Sequence, residues 1–452
     1  MPHKPIEQPD VVASIRDDLT DWRTWAGRVV VMSFAALAGL AVVAFTWLCE
    51  RALAGFGWLY AQANWLPFLW TPVCLAMLVW LTRRYAPGAA GSGIPQVMAV
   101  LDPAVGEQHR SLFVSLRLSI AKALLTAGGL LGGLAMGREG PSVQIAAGVM
   151  HHARRYIPQG APVSTHGLLV AGGAAGIAAA FNAPLAGIMF AIEELSRRFE
   201  QRNSGLIIAA IVLAGLMAVS AFGNATYFGV IHVPELAPGF LFPAVMVMLA
   251  SGALGGLFSR LLHASLADAR GRLAQWQRAH PVLFAAGCGL AIALIGWVSA
   301  GATFGSGYEY IRQLLAGHTD LPLLYVTLRF IATWLAVWSG VPGGVFAPSL
   351  AIGAGLGADV AVFTGFEGSS SALIALGMAG FLAAVTQAPL TAFIIVMEMV
   401  DGHAMVLTLM AAALGASLVS RWISRPLYSS LMQAQLGRLP AVRAADPKAP
   451  EP

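Results

Sequence analysis

The segment Gly137-Arg138-Glu139-Gly140-Pro141 puts a carboxylate where an anion would bind. Proline suits the first turn of a helix, where its missing N–H costs nothing. Glycine lets a ligand come close to the backbone. A helix start of this kind carries free N–H groups and roughly half a positive charge, which together attract anions. Ionised, Glu139 can occupy that place itself; protonated, it can leave. One side chain could thus couple an anion to a proton. The competing reading is a buried structural pair between Glu139 and Arg138, but an ionisable group at membrane depth favours function.

Three further segments carry related chemistry. Gly343-Gly344-Val345-Phe346-Ala347-Pro348 again ends in proline before an apolar stretch, and its unpaired N–H groups could face the same ion from the opposite side. Phe346 taken alone is core packing. Gly91-Ser92-Gly93-Ile94-Pro95 opens another apolar helix. Ser92 offers a neutral hydroxyl, apt for a partly dehydrated halide, although a GSG turn taken alone is only a loop. Tyr428, in Ser424-Arg425-Pro426-Leu427-Tyr428, reads in isolation as an interfacial tyrosine.

The elements that position these residues must lie in lipid. The chain is 57% hydrophobic and 11% charged, with a mean hydropathy of +0.71, whereas a soluble domain carries about 25% charged residues. The net charge of +5 does not indicate nucleic acid, because the charges gather in the first 30 residues, in short loops and near the C-terminus. A membrane protein marks its cytoplasmic side in this way. Cys49, Cys74 and Cys288 lie in or beside apolar runs, without metal-ligand spacing, and read as packing residues. Residues 1–28 are polar and mixed in charge, which predicts a cytoplasmic N-terminal segment and not a cleavable signal.

Apolar runs extend from Val29, whose own run reaches Cys49, to about Ile423. Several are long enough to span; others are too short for a core of about 30 Å at about 1.5 Å per residue. The short ones begin at Gly- or Pro-rich breaks, in a chain of 50 glycines and 25 prolines. Most of the glycines serve close helix packing. The breaks also predict discontinuous helices, tolerated in lipid only when buried or facing a wet cavity, and such ends are where transporters bind ions.

An internal repeat supports this. Gly91-Ser92-Gly93 recurs as Gly305-Ser306-Gly307, Pro141-Ser142 as Pro348-Ser349, and Ala183-Pro184-Leu185 as Ala388-Pro389-Leu390, at offsets of 214, 207 and 205 residues. Glu193 then matches Glu398. We read two membrane repeats, 29–222 and 238–423, followed by a pore-facing segment and short tail over 424–452. Arg154, Arg155, Arg197, Arg198 and Arg202 follow the first-half markers, whereas the second-half equivalents lack Lys and Arg between Arg329 and Arg421. The positive-inside bias then sets equivalent elements in opposite directions. The predicted fold class is an all-α polytopic bundle of two inverted-topology repeats.

GSGIP, GREGP, GVFAP and the C-terminal PLY, in this order over residues 91–428, resemble the CLC chloride channels and exchangers. Asn182-Ala183-Pro184-Leu185-Ala186-Gly187, leading to Glu193-Glu194, is also similar to that family. The resemblance implies a CLC-type bundle and a homodimer with one pore per subunit, in a cell's inner membrane with both termini cytoplasmic. Chloride and protons would be the transported substrates, with no cofactor. It implies that Ser92 and Tyr428 hold a central chloride with the N–H groups of Val345 and Phe346. Glu139 would gate an outer site near the Arg138 and Gly140 amides, and Glu194 would be the inner proton-transfer acid.

Ser92 points to a chloride-type filter, and the presence of Glu139, Glu194 and Tyr428 together to a coupled exchanger; a passive channel of the same fold is the alternative. An enzyme built on Ser142 or Ser349 is disfavoured, because no histidine falls at a motif position. One departure stands out. Some bacterial relatives place acids just after GSGIP, where this chain has Gln96, Val97 and Met98. Arg138 and Lys122 are therefore expected to lack that counter-charge. The 24 residues after Tyr428 are too few for the paired cytoplasmic nucleotide-binding modules of many eukaryotic members.

Overall fold

A computed structural model describes residues 21–196, 204–223, 227–229, 239–266, 271–317 and 324–437. Up to Phe222 the chain forms α1 (Trp22–Gln62), α2 (Pro67–Tyr85), α3 (Ile94–Leu101), α4 (Leu116–Leu131), α5 (Glu139–His152), α6 (Thr165–Phe181), α7 (Pro184–Phe190) and α8 (Ser204–Phe222). It continues as α9 (Leu241–Leu266), α10 (Pro281–Val298), α11 (Tyr308–Leu315), α12 (Tyr325–Trp338), α13 (Phe346–Thr364), α14 (Ser370–Thr386), α15 (Pro389–Met399) and α16 (Val406–Ile423). A last helix, α17 (Leu427–Leu436), carries Tyr428.

Seven helices among the described residues are long and apolar enough to cross a membrane. In five of them only 33–39% of the apolar window is buried inside the protein, so most of each faces outward. In α13 and α14 the share is 83% and 78%, which puts this pair in the centre, enclosed by protein. Small residues allow it: Gly353 and Gly357 of α13 lie against the backbone of α14, with no room for a Cβ.

The short helices are those predicted from Gly and Pro breaks. Helix α5 has 14 residues, about 21 Å at about 1.5 Å per residue, less than the hydrocarbon thickness. Helices α7 and α15 have 7 and 11 residues. Both begin at proline after a left-handed residue, Asn182 (φ 54°) before α7 and Gln387 (φ 60°) before α15. Equivalent positions of the repeat thus stop and restart the chain by the same device.

Two expectations need correction. Helix α1 spans 41 residues instead of ending near Cys49. Glu50-Arg51 ends the hydropathy run, but charged residues do not end a helix. Asp21 caps its start, its carboxylate accepting from the Thr24 hydroxyl (2.6 Å) and the Arg23 N–H (3.0 Å). These bonds, the Thr24 hydroxyl foremost, hold the Asp21 carboxyl below the usual carboxylate range. Residues 22–28, expected in a polar segment, are therefore helical; residues 1–20 of that segment lie outside the described residues. So do Arg197, Arg198 and Arg202, while Arg154 and Arg155 are exposed. The three cysteines are free and buried, as their apolar setting suggested.

Two buried cations pin the serine loops. Lys122, on α4, is fully buried and donates to the carbonyls of Ala89 (2.7 Å) and Gly91 (2.5 Å). Arg329, on α12, is equally buried and donates to the carbonyls of Thr303 (2.8 Å) and Gly305 (2.7 Å). They stand 207 residues apart, the repeat offset, and each serves the Gly-Ser-Gly loop of its own half.

Candidate anion and proton site

The two proline-ended motifs meet backbone to backbone. The Gly137 N–H donates to the Gly344 carbonyl at 2.8 Å and the Gly344 N–H returns to the Gly137 carbonyl at 2.7 Å. Among the described residues this is the one β-type pairing. The Gly343 N–H donates to the Gly91 carbonyl at 3.1 Å, so the Ser92 loop joins the same junction. Three loops distant in sequence thereby converge, and the starts of α5 and α13 lie side by side.

Glu139 is the first residue of α5 and is fully buried. Its Oε2 accepts the Ala347 N–H, in the first turn of α13, at 3.4 Å. Its Oε1 accepts the hydroxyl of Tyr308. The carboxylate therefore sits on the N-terminal end of the other half's helix, where unpaired N–H groups and the helix dipole favour negative charge. Gly137 makes room for it, because a Cβ there would run into Glu139 Oε2 and stand 3.2 Å from the Ala347 nitrogen.

Arg138 does not pair with Glu139. Its guanidinium bonds Glu50 Oε1 (3.1 Å), the Thr46 carbonyl (3.3 Å) and the Tyr227 hydroxyl. These contacts leave no Glu139–Arg138 structural pair, the competing reading of the GREGP motif. Arg138 receives no counter-charge from the segment after GSGIP and takes one from Glu50 of α1 instead. Lys122 has carbonyl partners, as described above. Gln96 takes over part of the missing acids' structural work, accepting from the Gly93 N–H (3.0 Å) and donating to the Ala90 carbonyl (2.5 Å).

Ser92 and Tyr428 come together. Both are buried, and among the described residues neither hydroxyl has a hydrogen-bond partner. They lie near each other, near Glu194 and near Glu139, without meeting at hydrogen-bond geometry. Buried orphan hydroxyls cost stability unless something fills them. The Phe346 ring packs edge-on to Tyr428, centroids 5.9 Å apart, and Val345 is buried at the cap of α13. Gly140 lies directly against Ser92, leaving no space for a side chain. All eight residues singled out by sequence thus belong to one region, Glu194 on the side of Tyr428.

Glu193 and Glu194 sit on a π turn, Ala191–Leu195, closed by the Ser196 N–H on the Ala191 carbonyl at 2.8 Å. Such turns insert one residue into a helix and often mark functional sites. Glu193 accepts the N–H groups of Leu390 (3.1 Å) and Thr391 (2.7 Å) at the start of α15. Both glutamates are half-buried, and Glu194 is the one that lies toward Tyr428.

Sequence reasoning missed Tyr308, Tyr227 and Glu50. A cavity of about 800 Å³ leads to the site, lined by Glu50, Arg138, Tyr227, Tyr308, Glu309 and Arg312 among others. Tyr308 stands between this cavity and the buried Glu139. A signal for it existed, since Tyr308 follows the second Gly-Ser-Gly as Ile94 follows the first. Ser142 spends its hydroxyl on the Arg138 carbonyl of its own turn (3.0 Å), as a helical serine commonly does.

The family model described as voltage gated chloride channel matches residues 73–421. The chain belongs to this family, the CLC chloride channels and transporters. Solved structures agree on the fold. A slow cyanobacterial Cl⁻/H⁺ antiporter superposes with a TM-score of 0.73 at 22% identity, covering 92% of this chain and 98% of that one. A eukaryotic CLC transporter gives 0.71 at 22% identity, covering 90% and 74%. A CLC-type fluoride/proton antiporter gives 0.69 at 22%, covering 89% and 96%. The protein is thus a multi-pass, all-helical membrane protein with the CLC-type arrangement of two inverted repeats and discontinuous helices.

Proposed function

We propose that this protein exchanges chloride for protons across the membrane, with Glu139 as the group both substrates address. One observation carries the reading: the Glu139 carboxylate already rests on the Ala347 N–H at the start of α13. An anion arriving at that helix end must displace it. A displaced carboxylate that picks up a proton has no further claim on a positive helix terminus. The two orphan hydroxyls of Ser92 and Tyr428 offer chloride a second, neutral place, with Val345 and Phe346 supplying backbone N–H groups. Glu194, on the side of Tyr428, would pass protons to and from the cytoplasm. Chloride is favoured as the anion by the family resemblance, through Ser92 of GSGIP.

The same reading includes a homodimer with one pore per subunit and both termini cytoplasmic, supported by the family resemblance and by exposed Arg154 and Arg155. The test is reconstitution in liposomes with chloride and pH electrodes read together. A chloride gradient should drive protons uphill, and Glu139→Gln should stop the protons while chloride still passes. A reversal potential that follows chloride alone in the unaltered protein would select the passive channel instead.

A further inference from the structure

We propose that the Tyr308 hydroxyl is a latch that holds the ionised Glu139 carboxylate on the amide end of α13, and so sets how much chloride is needed to displace it. This rests on the exchange reading above and adds a positioning residue to it. The two oxygens of Glu139 are held by two different helix starts. Oε2 meets the Ala347 N–H at 3.4 Å, beyond the usual N–H···O range. Oε1 receives the Tyr308 hydroxyl. The hydroxyl thus holds the oxygen that the amide does not reach.

Tyr308 is fixed for this task. It is the first residue of α11, placed by the turn at Gly307 (φ 91°). Its ring packs on Tyr227 and Phe228, with centroids 4.8 and 5.6 Å away, and Arg138 lies 5.6 Å from its centroid. Its face toward the cavity makes it the wall that Glu139 lies behind.

The repeat sharpens the point. Glu139 and Phe346 occupy equivalent positions of the two halves, and so do Ile94 and Tyr308. The half that supplies the acid has an apolar residue where the other half has the donor. Acid and donor therefore meet only across the junction, at one of its two symmetry-related places. A neutral donor suits a latch, because it favours the carboxylate without the long-range pull that a cation would also exert on chloride.

Chloride titrations of the full-length protein in detergent, by calorimetry at one fixed pH, test this. Tyr308→Phe keeps the ring packing and removes only the donor. It should lower the chloride Kd by about tenfold, the scale of one hydrogen bond to a charged group. Glu139→Ala should lower it as well, and Tyr308→Phe added to Glu139→Ala should change nothing more. An unchanged Kd in Tyr308→Phe, or an equal shift in both backgrounds, overturns the latch while leaving exchange intact. If Glu139→Ala itself leaves the Kd where it was, competition at this seat is wrong and the latch falls with it.

Discussion

The carboxylate of Glu193 accepts the N–H groups that open α15, and the carboxylate of its repeat partner Glu398 accepts those of Leu185 (3.2 Å) and Ala186 (2.7 Å), which open α7. Each half caps a broken helix of the other. Both helices begin at proline and are too short to span, so their first N–H groups would otherwise lack partners inside the protein. With the Gly137–Gly344 pairing, this makes two reciprocal seams across the molecule.

Because each cap is a charge-assisted bond to two N–H groups, Glu193→Gln and Glu398→Gln should each destabilise the protein by about 1–3 kcal/mol. Thermal unfolding in detergent should show similar losses for both. A loss in one variant and none in the other would show that the seams are not equivalent.

Ser92→Ala and Tyr428→Phe should act oppositely on stability and on binding. Each removes a buried hydroxyl that has no partner among the described residues, so without halide the variant should be as stable as the parent or more so. Chloride binding should weaken by about three- to thirtyfold, the worth of one hydrogen bond to an anion. Unfolding scans with and without chloride, in gluconate otherwise, would separate the two effects. Loss of stability in gluconate would mean that the hydroxyls serve the protein and not an ion.

Lys122→Met should cost about 2–6 kcal/mol, because two loop carbonyls lose their shared donor in a dry site. Arg329→Met should behave alike. The readout is the yield of folded, monodisperse protein in detergent together with its unfolding temperature. Near-normal stability in either variant would show that the Gly-Ser-Gly loops hold without their cations.

Glu50 is half exposed while Arg138 is buried, and the Thr46 carbonyl and the Tyr227 hydroxyl still hold the guanidinium when Glu50 loses its charge. Glu50→Gln should therefore leave unfolding nearly unchanged. It should lower the chloride needed for half-maximal flux by about twofold or more at low ionic strength, with less effect as salt screens the site. Flux that rises at high and low ionic strength alike would point to a steric effect in the cavity.

The sequence carried much of this because the junction depends on residue types that few other sites demand. Glycine at 137, 140 and 344 is needed where backbones and Ser92 approach, and proline at 141 and 348 where helices restart, so the motifs are visible as letters. The residues that stayed hidden act through space. Glu50 reaches Arg138 from 88 positions away and reads locally as the end of an apolar run. Tyr308 reaches Glu139 across 169 positions, and only alignment of the two Gly-Ser-Gly loops would have drawn attention to it. Glu193 was legible as a repeat marker but not as a cap, because the π turn that aims it has no letter of its own.

The central claim is that Glu139 and the transported anion contend for one place, and diffraction with bromide reads this directly. Crystals of the parent and of Glu139→Ala, soaked in bromide at the same pH, would be compared for anomalous density at the start of α13. Density beside the Ala347 N–H in Glu139→Ala, and none there while the parent's carboxylate is seated, is the predicted result. Bromide at that N–H with Glu139 still in place, or no bromide there in Glu139→Ala, would contradict it.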